Sequence, residues 1–253
     1  MLENGTAAGI DHFLVCSPAT TVTQVHSINS FLASCAAAYP MCTAFGTLHP
    51  YAENVEADFQ QLRSLQLRGV KLHPDFQNFP IDDPRAYPMY EMIQSSGLPI
   101  LMHMGDAKSD FSHPYRLAMI FCGSSRNLRI IAAHFWRLGA VERGKRHFCS
   151  RMNGCGSIPA AACRFLPPEE ISKAAVPTSG QRTASFGVDY PMWDYRKELE
   201  RFFCIGTFGF GKSCKFFLKI LRRFWANPTA NFDNQRNFRE CLSQKRKKAE
   251  YFS

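Results

Sequence analysis

At 253 residues, with 45% apolar and 20% charged side chains, the chain has the make-up of a globular protein with a sizeable core, which excludes a disordered or fibrous polypeptide. No run approaches the roughly 18 apolar residues of a membrane span. The opening MLENGT has neither the basic nor the apolar region of a signal peptide, so a cytosolic protein with no membrane association is expected.

The net charge of +9 is unevenly placed. Residues 201–253 hold 12 Lys/Arg against 3 Asp/Glu and residues 137–164 hold 6 against 1, so the rest of the chain is mildly acidic. Charge is therefore no argument for a nucleic-acid partner. The ten cysteines are scattered with no C-x-x-C, and Cys149, Cys155 and Cys163 fit no zinc knuckle; free thiols are expected.

In chain order, Met1–Ile10 reads as the end of a helix and His12–Ser17 (HFLVCS) as a first strand. Thr21–Ala38 follows as a helix and Cys42–Thr47 (CTAFGT) as a strand. Asn54–Gln66 has Val55, Phe59, Leu62 and Leu65 at helical spacing. Gly69–His73 (GVKLH) is a strand, and Asp83–Ser96 a helix with Pro84 in its first turn and Gly97 as its stop. Strands at Leu98–His103 and Leu128–His134 flank a helix at Pro114–Cys122, and Ser185–Asp189 (SFGVD) is a last strand. This alternation predicts βαβ units around a buried parallel sheet.

Four apolar strand runs end on a polar residue: His73, His103, His134 and Asp189. In an α/β barrel reactive groups gather at these ends, because the loops that follow leave that face open. Imidazole and carboxylate are ligands that zinc, manganese or iron accept, and a catalytic metal keeps a position open for water. A histidine nearby that does not ligate is suited to move protons or polarise a carbonyl.

The strings GVKLHPDFQ (Gly69–Gln77), LPILMHMGD (Leu98–Asp106), IIAAHF (Ile130–Phe135) and FGVDYPMWD (Phe186–Asp194) resemble the amidohydrolase-related family, in the branch of aminocarboxymuconate-semialdehyde decarboxylase. The resemblance covers residues 7–135 and 165–203 and implies a (β/α)8, TIM-barrel-like fold. It implies His103 as a metal ligand, His134 as the catalytic or polarising histidine, and Asp189 as ligand and proton acceptor. It also implies a divalent metal, Zn2+ ahead of Mn2+ or Fe2+. Lys71 and His73 alternate on one strand, so both are assigned to substrate anions, with a buried ion pair the other reading for Lys71. His12 and His49 lie in no matching string and are read as structural.

Two departures from the family pattern make an incomplete barrel the expectation. HFLVCS matches the family's second strand and no H-x-H occurs, so the chain reads as starting one βα unit late. The Pro-containing Gly156–Phe165 predicts no strand where the family has its seventh. Back-translated with permissive codons and shifted by one base, GSIPAAACRF reads WVDTSSSLPF, WRLGAVE reads GGWGQW, and CKFFLKILRRFW reads QILLENITKIL. Out-of-frame translation of 137–164, part of 175–185 and much of 204–253 is thus expected, and the coding DNA tests it. The domain reading is one barrel over 1–203, aberrant at 137–164, with a basic tail over 204–253.

Gly206–Ser213 (GTFGFGKS) fits the Walker A pattern, but only 40 residues follow it and no apolar strand ending in Asp appears among them. Lys245–Lys248 reads as a solvated tail rather than a nuclear address. The functional expectation is a metal-dependent hydrolase that acts on a small carbonyl or carboxylate compound through a metal-activated water. A non-oxidative decarboxylase of the same family and a catalytically inactive remnant are the alternatives, with the missing H-x-H favouring the remnant. The partner is a small molecule, neither nucleic acid nor membrane, and a homo-oligomer is left open.

Overall fold

The computed structural model describes residues 1–106, 108–113, 115–117, 120, 127–133 and 187–197, together with the backbone of 155–158. His134, the Walker-like 206–213 and the basic tail 204–253 lie outside the described residues. Six strands form one sheet in sequential order: β1 (Phe13–Cys16), β2 (Cys42–Thr47), β3 (Val70–Leu72), β4 (Pro99–His103), β5 (Arg129–Ala133) and β6 (Cys155–Ile158). Every neighbouring pair is parallel. Among the described residues this is six strands' worth of a TIM-barrel wall. No helix among them is long and apolar enough to cross a membrane.

Four of the following helices stand where the sequence expects helix, and the one-turn helix after β3 is additional. α1 spans Leu2–Ala7, α2 Val25–Ala38, α3 Val55–Ser64, α4 Pro74–Gln77 and α5 Tyr87–Ser96. Asn54 caps α3 by accepting the Ala57 N–H at 2.9 Å, and Gly97 stops α5 at φ 72°, a left-handed conformation that costs glycine little. Residues 115–117 and 120 are helical, within the predicted Pro114–Cys122.

The pleat sorts strand side chains into two layers. Val70, Leu72, Ile100, Met102, Ile130 and Ala132 pack outward with Leu32, Phe59, Leu62, Met89 and Ile93 of the helices. The alternate positions Phe45, Leu101, Ile131 and Ala133, with Leu14 and Cys16, form a second cluster on the inner face. Lys71 and His103 share the parity of Leu101, so they belong to that inner face as well.

The end of β2 is locked from outside. Buried Asn29 on α2 donates to Thr47 O at 3.1 Å and accepts from Thr47 N at 2.7 Å. Thr47 Oγ1 accepts from Ala19 N and donates to Lys71 O at 3.1 Å, tying β2 to β3. Gly46 permits this approach: a Cβ there would lie 2.7 Å from both Asn29 Oδ1 and Leu67 Cδ1.

Two local expectations change. Gly156–Phe165 predicts no strand, yet β6 runs over Cys155–Ile158 with Ile130 opposite Cys155 and Ala133 opposite Ile158. A four-residue strand therefore stands beside β5 where none was expected. The exposed ladder of β5 offers backbone partners to whatever segment lies beside it, and that outweighs weak strand propensity. In the predicted strand Ser185–Asp189, Ser185 and Phe186 lie outside the described residues, while Gly187 and Val188 carry no strand pairing. Asp189 opens a turn at φ 47°, a left-handed value that Asp tolerates and a strand does not. The described cysteines Cys16, Cys35 and Cys42 are free thiols.

Candidate metal centre

His73 is the first residue past β3 and the N-cap of the one-turn helix α4. Its backbone N–H donates to Gln77 Oε1 at 2.8 Å, and Gln77 Nε2 donates onward to Leu48 O at 2.8 Å, so both ends of the turn are pinned. Nδ1 of His73 accepts the Phe76 N–H at 3.4 Å, a long bond. The imidazole is held face to face between two rings: Phe76 at 3.8 Å and 1°, and His103 at 3.8 Å and 10°. His103 reaches this stack because it ends β4, the strand next to β3.

Asp75, on α4, completes the cluster. Ligand atoms of His73, Asp75 and His103 all lie within 4.8 Å of one another. Oδ2 of Asp75 is 3.9 Å from His73 Nδ1, and the carboxylate is only 5% exposed. Oδ1 accepts the hydroxyl of Ser109, whereas buried Oδ2 has no hydrogen-bond partner among the described residues. A buried carboxylate oxygen without a partner carries a penalty of about 1–3 kcal/mol or more. A cation removes it. Two imidazoles and one carboxylate form a donor set that suits a divalent metal, so the residues fit such an ion.

Lys71 lies two residues before His73, on the inner face. Burial pushes its ammonium down, opposed by Cys16 and Asp189. Burial pushes the Cys16 thiol up, with Lys71 opposing and Asp189 adding to the rise. Lys71, Cys16 and Asp189 thus sense one another's charge across the inner face.

Of the residues expected from sequence, the structure brings His73 and His103 into contact. Lys71 and Asp189 form a second charged group, and Asp189 lies outside the set of three. His134 follows β5 but lies outside the described residues. His12 bonds Thr43 Oγ1 at 2.8 Å, and His49 is buried with burial lowering its pKa and its Nδ1 accepting the Tyr51 N–H at 3.3 Å; neither joins the cluster. Sequence reasoning missed Asp75 and Ser109. The signal for Asp75 was present in the string H-P-D: a proline right after a strand-end histidine starts a helical turn, and that turn carries the next side chain round beside the histidine.

Comparison with known proteins adds the family. The family model described as amidohydrolase matches residues 18–205. Comparison with curated proteins returned no match. Among solved structures, the chain is similar to an uncharacterised TIM-barrel protein of Bordetella bronchiseptica, at TM-score 0.74 and 22% identity over 89% of this chain and 81% of that one. It is similar to 2,6-dihydroxybenzoate decarboxylase from Rhizobium, at TM-score 0.64 and 17% identity over 88% and 86% of the two chains. It is also similar to 5-carboxyvanillate decarboxylase of Novosphingobium aromaticivorans, solved with manganese, at TM-score 0.63 and 16% identity over 88% and 78%. At these identities the structural likeness speaks for the TIM-barrel fold, and the matched span of residues 18–205 speaks for descent: the chain belongs to the amidohydrolase family.

Proposed function

We propose that this chain is a metal-dependent hydrolase for a small carbonyl or carboxylate compound. The observation that carries the reading is the buried Asp75 carboxylate clustered with His73 and His103, with an Oδ2 that has no hydrogen-bond partner among the described residues. His103, with His73 and Asp75 beside it, would hold a divalent cation, zinc ahead of manganese or iron. Bound there, such an ion supplies Lewis acidity and brings the acidity of a water molecule near neutrality.

The chain's own residues supply the rest. Lys71, an amine on the inner face, binds the substrate's anionic group. Asp189, whose charge influences Lys71, is assigned to accept a proton. His134, next in sequence after β5, is assigned to polarise the reacting carbonyl. The apolar cluster of Leu101, Ile131 and Ala133 on the inner face lowers the local polarity and strengthens charge interactions there. The barrel domain is taken as 1–203, with 204–253 as an appended basic segment.

Non-oxidative decarboxylation is the second reading, favoured by the two decarboxylases among the similar folds. In that reaction Lys71 would hold the carboxylate that departs, and Asp189 would return a proton to carbon. The test is metal analysis of the full chain, followed by a screen of carboxylated aromatic and carbonyl substrates for hydrolysis and CO2 release. One bound divalent ion per chain, with turnover lost on chelation and restored by metal, is expected. A chain that takes up no divalent ion at micromolar concentration and turns nothing over is an inactive remnant, and overturns the proposal.

A further inference from the structure

We infer that Ser109 is a positioning residue for the cation site: its hydroxyl fixes the Asp75 carboxylate so that Oδ2 is left free beside His73, within the cluster of His73, Asp75 and His103. This rests on the metal-dependent reading above and assigns a role to a residue that touches neither metal nor substrate.

Asp75 projects from a single helical turn. Among the described residues, the hydrogen bond to its carboxylate comes from 34 residues away, from Ser109 Oγ to Asp75 Oδ1. A hydroxyl has one hydrogen to give. The Phe111 N–H points into Ser109 Oγ at 3.4 Å, which occupies a lone pair and leaves the hydroxyl hydrogen for Asp75. With Oδ1 committed, Oδ2 is the oxygen left free beside His73. A carboxylate ligand fixed in this way has its rotational freedom removed before the ion arrives.

The segment carrying Ser109 is itself clamped. Gly105 N donates to Ser112 O at 3.0 Å, closing the segment on itself. Ile81 N donates to Phe111 O at 3.0 Å, joining it to the stretch ahead of α5. Arg116 donates to Asp110 O at 2.9 Å and to Asp110 Oδ2 at 2.8 Å while also pairing with Asp82 Oδ1 at 2.6 Å. The loop after β4 therefore reaches back over the loop after β3 from a fixed frame, and Ser109 is the residue it delivers. The cation site therefore depends on both segments, although its ligating side chains come from α4, its N-cap His73 and the end of β4.

The test uses the full-length chain and Co2+ alone, followed by its visible absorption, with Zn2+ measured in competition with a chromophoric chelator. Ser109→Ala is expected to weaken Co2+ and Zn2+ binding by roughly 10- to 100-fold, the range typical of outer-shell partners. Ser109→Thr keeps the hydroxyl and is expected to stay within about threefold of wild type on the same principle. Asp75→Ala weakens binding further, and Ser109→Ala added to it should cost nothing more, because the group that Ser109 acts through is gone. Affinities are compared at a temperature where circular dichroism shows wild type and Ser109→Ala both folded without metal, so that the lower midpoint expected from baring Asp75 Oδ1 does not enter the reading. Ser109→Ala binding as tightly as wild type overturns the inference alone. So does an equal loss in the Asp75→Ala background, since Ser109 would then act by another route. A wild-type chain that binds neither ion overturns the metal-dependent reading and the inference with it.

Discussion

Asp75→Asn separates a metal ligand from a structural carboxylate, because its effect should change sign with the metal. In chelator, the wild type keeps a buried carboxylate oxygen with no partner, 3.9 Å from His73 Nδ1 and beyond hydrogen-bond range. The amide retains an oxygen to accept the Ser109 hydroxyl and places a neutral group where the bare oxygen was. An unsatisfied neutral group costs less than an unsatisfied charged one, so metal-free Asp75→Asn should unfold no lower than wild type and up to about 1 kcal/mol higher. With metal at 100 times its dissociation constant, linkage gives the wild type about 2.7 kcal/mol. For a chain of this size each kcal/mol is worth about 2–4 °C, so wild type should gain about 5–10 °C and Asp75→Asn almost nothing. Thermal unfolding with Zn2+ or Mn2+ against chelator reads both effects. An equal metal-induced rise in Asp75→Asn would refute the ligand assignment. A metal-free midpoint several degrees below wild type would show that Oδ2 has a partner, and refute the orphan argument.

Four further outcomes follow from the geometry. The Arg85 hydrogen bonds beside Asp83, at 2.8 Å and 3.2 Å, hold its carboxyl well below the usual value of 3.8, so that stability is present above that value and is lost as pH falls below it. Asp83→Asn should therefore lower the midpoint at pH 7, with the gap to wild type closing below about pH 4 in acid unfolding. Tyr51 is pushed up to about 12 by burial and by its bond to Asp83, so Tyr51→Phe should flatten the loss of stability between pH 10 and 12. Asn29→Ala strips two bonds from the buried Thr47 backbone at about 1–3 kcal/mol each, or about 2–5 kcal/mol in a urea titration. Lys71→Met should raise KM for a carboxylate substrate by roughly 10- to 100-fold, the worth of one charged hydrogen bond, with Co2+ affinity unchanged.

Most of the described wall was legible because pleat and helix period are local. Val70-Lys71-Leu72 and Ile100-Leu101-Met102-His103 alternate in sequence, and the structure sends Val70, Leu72, Ile100 and Met102 outward while Lys71 and His103 face in. The Gly97 stop and the Pro84 start stand where they were expected, with Pro84 opening a 3-10 turn that leads into α5. Cys155–Ile158 was not legible, because pairing to β5 is a property of the neighbour and not of the segment. The end of the last predicted strand was misread for a related reason. FGVD has strand composition up to the aspartate, but the left-handed backbone at Asp189 is decided by how the turn beyond it closes.

The candidate site divides along the same line. His73 and His103 were readable as strand-end residues because each closes an apolar run and two adjacent parallel strands bring their last inner side chains together, although the sequence assigned His73 to substrate and paired His103 with Asp189 as ligands. That the rings stack at 3.8 Å is a consequence of strand spacing and needs no long-range information. Asp75 needs more: a proline-started turn to swing it beside His73, a burial that strips water from Oδ2, and a hydroxyl 34 residues away to choose which oxygen is spent. None of these is written in a local pattern. Strand ends alone account for two imidazoles, and two ligands leave a catalytic cation short of its usual three. In the proposed site the third would be Asp75 of α4, held by Ser109 from the segment after β4. The barrel wall therefore sets where the ion would sit, and the loop clamps around Ser109 set how firmly it would be held.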